Sequence, residues 1–262
     1  AHGMPNPDNF QLSRDVAQIF RQRGVEPATI ALKDGYCRIG LTPDELHDLA
    51  RRGGSKVTTR QVAQHLSNSS NEWGATTVAS TLALATRAGI PTFCTGGIGG
   101  VHRGHDMDVS ADLLELARNP GIVVCAGIKS ILDIPRTLET LETYGVTVVA
   151  YQTDEFPAFF SPHSGVAAPA RVDDVNEIVD LYQRTRDLDL PHSILVAVPN
   201  ADPAGAAVEE AIQAALREAD KKGISGPAVT HFILKRVAET TDGDSLRSNM
   251  SLVKQNAKIG AE

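Results

Sequence analysis

The sequence has few cysteines, no excess of positive charge and no long apolar run, and each shortage excludes a class of protein. Its three cysteines, Cys37, Cys94 and Cys125, show no C-x-x-C spacing. This pattern argues against a disulfide framework and favours buried free thiols in a reducing cytoplasm. Because no run of 18 apolar residues occurs, we predict no transmembrane helix, and we find no signal peptide either.

The charge balance is acidic, with 25 Lys and Arg against 32 Asp and Glu, which gives a net charge of −7. A nucleic-acid polymer is therefore not an expected partner. A small anionic substrate remains possible, because a local basic pocket can form inside an acidic protein. The hydrophobic fraction of 42% and the charged fraction of 22% are those of an ordinary globular protein.

The ends of the chain look abrupt. It begins with Ala1 and His2 rather than an initiator methionine, and it ends equally abruptly at Glu262. We therefore expect both termini of the natural gene product to lie outside this sequence. No internal repeat, low-complexity tract or linker divides the rest, so we predict one domain over residues 1–262.

Helical and strand-like patterns alternate along the chain. Apolar residues at helical spacing from Leu12 to Phe20 predict an amphipathic helix, and Thr42 to Glu45 has the pattern of a capping box with proline at the first helical position. Apolar strand-like runs then alternate with helical segments; the runs are 92–95, 122–126, 146–151 and 193–198. This order predicts an α/β fold, an α/β/α sandwich around a central, largely parallel or mixed sheet.

One lysine stands at the end of an apolar run. Lys129 follows the strand-like segment 121–128, so it is expected at the carboxyl edge of the sheet, where α/β proteins bind ligands. Partial desolvation there would lower its pKa and free the amine for Schiff-base chemistry. A lysine extending into solvent is the plain alternative.

A glycine-rich loop and a cluster of metal-ligand residue types precede this lysine. Four glycines fall within residues 96–100, which permits close approach of the backbone to a ligand, but the spacing does not fit a dinucleotide-binding fingerprint. His102, His105, Asp106 and Asp108 follow within seven residues. With one or two carboxylates and several waters, such a group suits Mn²⁺ or Mg²⁺ better than zinc, although a solvated loop would have the same composition.

Several polar segments could bind an anion or a base. Ser110 can cap a helix whose first-turn N–H groups could hold a phosphate. Lys56 follows a glycine turn, and residues 74–81 place hydroxyls and small side chains at a helix start. Asn249 carries both a donor and an acceptor, which suits the edge of a planar base. Each of these features also has an ordinary structural explanation.

Nine segments, taken together and in order, carry a family resemblance. They are HGMP at 2–5, PATIA at 27–31, GATTVAST at 74–81, TGGIGGVHRG at 95–104, D-x-SADL at 108–113, VVCAGIKSILD at 123–133, YQT at 151–153, PAFF at 157–160 and GDSLRSN at 243–249. The chain resembles the pseudouridine-5′-phosphate glycosidase family, also called pseudouridylate synthase, over nearly its whole length.

The resemblance implies a lyase that reversibly cleaves the C–C glycosidic bond of pseudouridine 5′-phosphate to uracil and ribose 5-phosphate. A C-glycoside has no exocyclic heteroatom that an acid could protonate as a leaving group, so the usual two-carboxylate route fits poorly. The family opens the ribose and joins its C1 to a lysine, and Lys129 matches that lysine. Its nitrogen supplies the electron push that expels the base, and water hydrolyses the resulting imine.

Further roles are implied at matching positions. Asp108 matches the ligand of one Mn²⁺ ion per subunit, and His102 beside it is expected to take part in catalysis. Ser110, Ala111 and Asp112 match a substrate-contacting segment, and Asp112 is also expected to move protons. The other matches to substrate contacts are Lys56, Val78 and, at the uracil edge, Asn249. The resemblance also implies a homotrimer.

The sequence departs from the family pattern in three ways. The family's general-acid glutamate lies in a Glu-Ser-Thr-Ile-Ile segment upstream of HGMP, so it falls outside this sequence, and we expect a longer natural protein. Ile128 stands where the family often has alanine, and Asp242 where glycine is common. Both changes could reshape the pocket around the base.

Three other functions are also compatible with the sequence. A C-glycosynthase that attaches ribose 5-phosphate to an aromatic aglycone would share the fold and could use a reshaped base pocket. A non-catalytic sugar-phosphate sensor would keep the anion site but would not need Lys129. A class I aldolase also uses a strand-end lysine, but eight βα units are hard to count here and it would need no Mn²⁺.

Overall fold

A computed structural model of the chain describes residues 4–68, 71–103, 105–205, 207–224 and 227–262. His2, Gly3 and Gly104, which belong to two of the family motifs, lie outside the described residues. The twelve strands of the described part are β1 (Ile30–Lys33), β2 (Tyr36–Ile39), β3 (Ser55–Val57), β4 (Gly74–Thr76), β5 (Thr92–Cys94), β6 (Val101–His102), β7 (His105–Val109), β8 (Ile122–Cys125), β9 (Leu132–Asp133), β10 (Thr147–Tyr151), β11 (Arg171–Val172) and β12 (Ile194–Ala197).

Ten helices in the same part of the chain connect and cover these strands. They are α1 (Asp8–Gln22), α2 (Pro43–Arg52), α3 (Thr59–Ser67), α4 (Val78–Arg87), α5 (Ala111–Arg118), α6 (Ile134–Thr143), α7 (Val175–Asp187), α8 (Ala207–Lys221), α9 (Pro227–Thr240) and α10 (Asp244–Gly260).

The central sheet has five parallel strands in the order β11-β10-β12-β8-β5. Val123 and Leu195 point to one face, where they pack with apolar residues of α4, α5, α6, α8 and α9. Val124 and Val196 point to the other face, toward Ile178 of α7 and the end of α10. Because both faces are covered, the strands are apolar throughout. The predicted α/β/α sandwich is confirmed.

Two smaller sheets flank the central one. The first has the order β2-β1-β4-β3 and mixed strand directions, and Leu32, Val57 and Leu84 form its core. The second is antiparallel, with the order β7-β6-β9. The first sheet presents Lys56, and the second presents His102 and Asp108, to the carboxyl edge of the central sheet.

Local signals in the sequence place most element boundaries correctly. The capping box at Thr42 and Glu45 is formed in both directions, and Pro43 is the first residue of α2. Helix α7 begins at Val175, because Val172 pairs with Tyr151 as an edge strand. Within the described residues, no helix is long and apolar enough to cross a membrane.

All three cysteines are free thiols, and burial raises the pKa of both Cys94 and Cys125 to about 12.

Candidate active site

A large cleft of about 2080 Å³ opens at the carboxyl edge of the central sheet. Nine of the candidate site residues from the sequence line it. They are Lys56, Val78, His102, Asp108, Ser110, Ala111, Asp112, Lys129 and Asn249. The fold thus gathers side chains from five separate stretches of sequence into one concave site.

Backbone pairing beyond the ends of β5 and β8 positions Lys129. The strands end at Cys94 and Cys125, but the two chains stay hydrogen-bonded as they leave the sheet. The N–H of Ile98 donates to Gly127 O at 3.1 Å, and the N–H of Lys129 donates to Ile98 O at 3.1 Å. Lys129 therefore lies four residues beyond the strand itself, on a paired extension that fixes its backbone.

The surroundings of Lys129 favour its neutral amine. The residue is half-buried. Desolvation by the surrounding protein lowers the pKa of its ammonium group; the negative charge of Asp112 opposes that shift, and the positive charge of Lys56 adds to it. A lysine with a lowered pKa carries more of the free amine that attacks an electrophilic carbon near neutral pH.

Asp112 joins three segments of the site through backbone hydrogen bonds. Its Oδ1 accepts from the N–H of Ala79 in the first turn of α4, and its Oδ2 accepts from the N–H of Gly99, both at 2.8 Å. The carboxyl group is 5% exposed and stands at a helix N-terminus, where a negative charge is favourable. This geometry gives Asp112 a holding role in addition to the proton-moving role expected from the sequence.

The glycines in the loop are required by close contacts. A Cβ on Gly97 would lie 2.6 Å from the ring of Phe159 and 3.0 Å from Gly127 O. A Cβ on Gly99 would lie 2.8 Å from the Asp112 carboxylate. The loop therefore packs tightly against the Phe159 ring, the Lys129 segment and α5.

Two helix N-termini face the cleft. Thr77 caps α4 and Ser110 caps α5 through their side-chain oxygens, as the sequence predicts for Ser110. Val78 and Ala111, the first residues of these helices, line the cleft near Lys56 of β3. The Asp112 carboxylate already takes the Ala79 N–H of α4, so the Lys56 cation and the remaining first-turn N–H groups make this part of the cleft suitable for an anion.

The expected metal site has one described carboxylate and one imidazole. His102 Nε2 lies 4.0 Å from Asp108 Oδ2, and the Asp108 side chain is 42% exposed. The side chains of His105 and Asp106 lie outside the described part. Within that part, no three His, Cys, Asp or Glu side chains form a metal-binding group. One exposed carboxylate suits a hydrated Mn²⁺ or Mg²⁺ ion, which keeps several waters, better than it suits zinc.

Asn249 reaches the cleft from α10. Its Oδ1 would lie 3.5 Å from a Cβ on Gly96, so it stands directly beside the glycine loop. Two turns further along the same helix face, Asn256 donates from Nδ2 to Thr95 O at 2.7 Å. At the end of the helix, Gly260 packs against the Cys94 thiol, where a larger residue would not fit. These contacts set the position of α10 on β5.

The two departures from the family pattern do not line the cleft. Ile128 is fully buried in the core under the sheet extension. Asp242 is exposed in the turn before α10, where its φ of +47° is a conformation that glycine adopts without strain. Neither residue lines the cleft itself, so an effect on the pocket around the base would have to pass through neighbours such as Lys129, and it stays a prediction.

Sequence reasoning missed two residues that join the glycine loop to the Lys129 segment. Arg103 donates to Ser130 O at 2.8 Å and to Leu132 O at 3.0 Å. Thr137 accepts from the N–H of Val101 at 3.0 Å. Their roles depend on contacts across 27 to 36 positions of sequence, which no local pattern reports.

Comparisons with known proteins agree on one family. The family model described as indigoidine synthase A like protein matches residues 1–262. The pseudouridine-5′-phosphate glycosidase of Arabidopsis thaliana is 47% identical over 269 residues, which cover 100% of this chain and 81% of that protein. The protein of the same name from Cupriavidus pinatubonensis is 48% identical, with coverages of 100% and 84%.

Solved structures show the same fold. An indigoidine synthase A like protein of Thermotoga maritima superposes with a TM-score of 0.89 at 34% identity, over 99% of this chain and 87% of that one. The prealnumycin C-glycosynthase AlnA, solved in complex with ribulose 5-phosphate, also gives a TM-score of 0.89 at 34% identity, with coverages of 98% and 86%.

Proposed function

The chain belongs to the family of indigoidine synthase A like proteins, and we propose that it reversibly cleaves the C–C glycosidic bond of pseudouridine 5′-phosphate. The products are uracil and ribose 5-phosphate. Relatives named for this activity are 44–48% identical over the whole chain. The observation that carries the proposal is Lys129, a desolvated amine fixed at the sheet edge inside a cleft with an anion-binding end.

The covalent step uses the Lys129 amine. Its nitrogen bonds to C1 of the ribose while the bond from C1 to the ring oxygen breaks, and that oxygen takes a proton. The nitrogen lone pair then forms a C=N bond as the bond from C1 to the base breaks. The electron pair of that bond passes to the base carbon, which takes a proton. Water hydrolyses the imine, which releases ribose 5-phosphate and restores the amine.

The remaining groups of the cleft orient the substrate. Lys56 and the first turns of α4 and α5 suit the 5′-phosphate, because a cation and two positive helix ends meet there. Asn249, beside the glycine loop, suits the donor and acceptor edge of uracil. This arrangement places the ribose between the two ends, next to Lys129.

Mn²⁺ belongs to the same proposal, at one ion per subunit. Asp108 would hold it, together with waters and with His102 close enough to bond one of them. When bound, the ion would supply positive charge near the substrate's oxygen atoms. A chelator should lower activity and Mn²⁺ should restore it. Activity that chelation leaves unchanged would count against the Asp108 site.

A C-glycosynthase remains the second candidate, because one structural neighbour has that activity. Ile128 and Asp242 do not line the cleft, so they favour this candidate only through their neighbours. A non-catalytic sugar-phosphate sensor would not need a desolvated lysine, and a class I aldolase would be expected to have a different fold.

Incubation of full-length protein with pseudouridine 5′-phosphate and Mn²⁺ tests the proposal. We expect uracil and ribose 5-phosphate in equal amounts. If neither forms while ribose 5-phosphate is trapped on Lys129 by borohydride, the C-glycosynthase is the better function.

Assembly as a homotrimer and a cytoplasmic location complete the proposal. They follow from the family resemblance and from the three free thiols. Light scattering coupled to size-exclusion chromatography should give three times the subunit mass, and a monomeric mass would contradict it.

A further inference from the structure

A buried asparagine behind the cleft residues lies at the same sheet edge as Lys129. Asn200 follows β12, the strand paired with β8, and is 2% exposed. Its amide uses every hydrogen that it can donate. Nδ2 donates to Phe159 O at 3.2 Å and to Ser248 Oγ at 2.9 Å, and Oδ1 accepts from the N–H of Asp202 at 3.0 Å.

One branch of this network holds Phe159 in an unfavourable backbone conformation. Its φ is +63°, in the left-handed region that a bulky residue rarely enters. Two hydrogen bonds fix it there, from its own N–H to Ala126 O at 3.1 Å and from Asn200 to its carbonyl. The ring covers Gly97 and meets Phe160 edge to face at 4.8 Å. Strain of this kind persists only where the surroundings enforce it.

The other branch holds the turn of α10 that carries Asn249. Ser248 is fully buried, accepts from Asn200 and donates to Asp202 O at 2.9 Å. Asn249, the next residue, stands beside Gly96, and Phe159 covers Gly97. The Asn200 amide therefore links Phe159 and the α10 turn of Asn249, which contact two consecutive glycines of the loop.

We propose that Asn200 is a positioning residue for the base half of the cleft. Through the buried Phe159 ring packed against Gly97, it sets the position of the glycine loop relative to the Asn249 amide, the group suited to the polar edge of a planar base. It makes no contact that would hold the sugar phosphate. This inference rests on the proposed function, because it assigns the residue to the base rather than to ribose 5-phosphate.

The test compares Asn200→Ala with Ser193→Ala. Ser193 is also fully buried in the core at β12, but at the opposite edge of the sheet, where it donates to Asn119 O. In the synthesis direction, we expect Asn200→Ala to raise KM for uracil by about tenfold. The ribose 5-phosphate concentration that half-saturates borohydride trapping on Lys129 should change by less than about twofold. Ser193→Ala should leave both quantities unchanged, whatever it does to Tm.

Parallel losses in uracil affinity and ribose 5-phosphate trapping would overturn the proposal, because they would indicate a merely structural role. If Asn200→Ala fails to fold, Ser248→Ala breaks the α10 branch alone and should give the same split. If the wild type processes no uracil, the proposed function fails and the assignment to the base fails with it; hydrogen exchange then tests only whether Asn200 holds Phe159 and the start of α10 in place. Faster exchange in 157–161 and 245–250 for Asn200→Ala than for Ser193→Ala supports the positioning role, and equal exchange contradicts it.

Discussion

The cleft has an inner wall and an outer rim that are built differently. The inner wall consists of the glycine loop, Lys129 and Asp112, and it is held by backbone hydrogen bonds of 2.8–3.1 Å between buried or half-buried segments. The outer rim presents Lys56 from a three-residue strand and Asp108 from a short hairpin, and both side chains are substantially exposed.

This difference corresponds to two functions of the cleft, covalent chemistry and substrate binding. Covalent chemistry needs one amine with a fixed position and a lowered pKa, and burial in a paired backbone supplies both. Binding of a phosphate or a hydrated ion needs charge that water can reach before the substrate arrives. Mutations should therefore affect chemistry and stability on the inner wall, and substrate affinity on the rim.

The largest effect should follow Lys129→Met. Methionine keeps the length of the side chain but cannot form an imine, so we expect kcat to fall by about 10⁴-fold or more. The free energy of unfolding should not fall, because a desolvated amine is replaced by an apolar group. Uracil release and thermal unfolding measure the two quantities. Lys222→Met, which removes only surface contacts with Glu218 and Phe232, is the control: kcat should match wild type, and the free energy of unfolding should change by less than about 1 kcal/mol.

Asp112→Asn should show how much the inner wall contributes to stability. The amide that replaces the carboxylate has only one acceptor oxygen for two backbone N–H groups, so one buried donor loses its partner. We expect the free energy of unfolding to fall by about 3 kcal/mol in denaturant titration. Asp154→Asn, at an 84% exposed side chain, should change it by less than about 0.5 kcal/mol. Equal changes would show that the inner wall is not held as described.

Lys56→Met should act through affinity and through pH. Loss of the cation should raise KM for pseudouridine 5′-phosphate by about thirtyfold but leave KM for unphosphorylated pseudouridine unchanged. The Lys56 charge lowers the pKa of Lys129. Its removal should raise that pKa, so the acid limb of the pH profile of kcat/KM moves to higher pH. A shift to lower pH, or none, would contradict the proximity of the two lysines.

The smallest effect should come from thiol alkylation. Burial raises the pKa of Cys94 and Cys125 to about 12, so little thiolate is present at pH 8. Iodoacetamide should leave both unmodified in folded protein, with activity unchanged. Peptide mapping that finds rapid modification of Cys125, which is fully buried, would show that the core under the inner wall opens readily.

The sequence predicts the central sheet better than its surroundings. Strands such as β8 and β12 are buried on both faces, so their apolar runs are plain. The smaller sheets consist of strands of two to five residues with mixed polarity, and their pairing depends on distant segments.

The site residues also differ in how well the sequence predicts them. The place of Lys129 after an apolar run indicates a sheet edge, and the family motifs supply the other cleft residues. Asn200 carries no local signal, because its partners Phe159 and Ser248 lie 41 and 48 positions away. The strain at Phe159 is likewise visible only in the folded chain.

Borohydride trapping reports directly whether the sugar bonds to Lys129 during the reaction. Full-length protein, pseudouridine 5′-phosphate, Mn²⁺ and borohydride would be combined, and the protein would be analysed by intact mass and peptide mapping. We expect one ribose-phosphate adduct per subunit, on Lys129, with uracil released. Uracil release without any adduct, or an adduct on Lys56 instead, would contradict it.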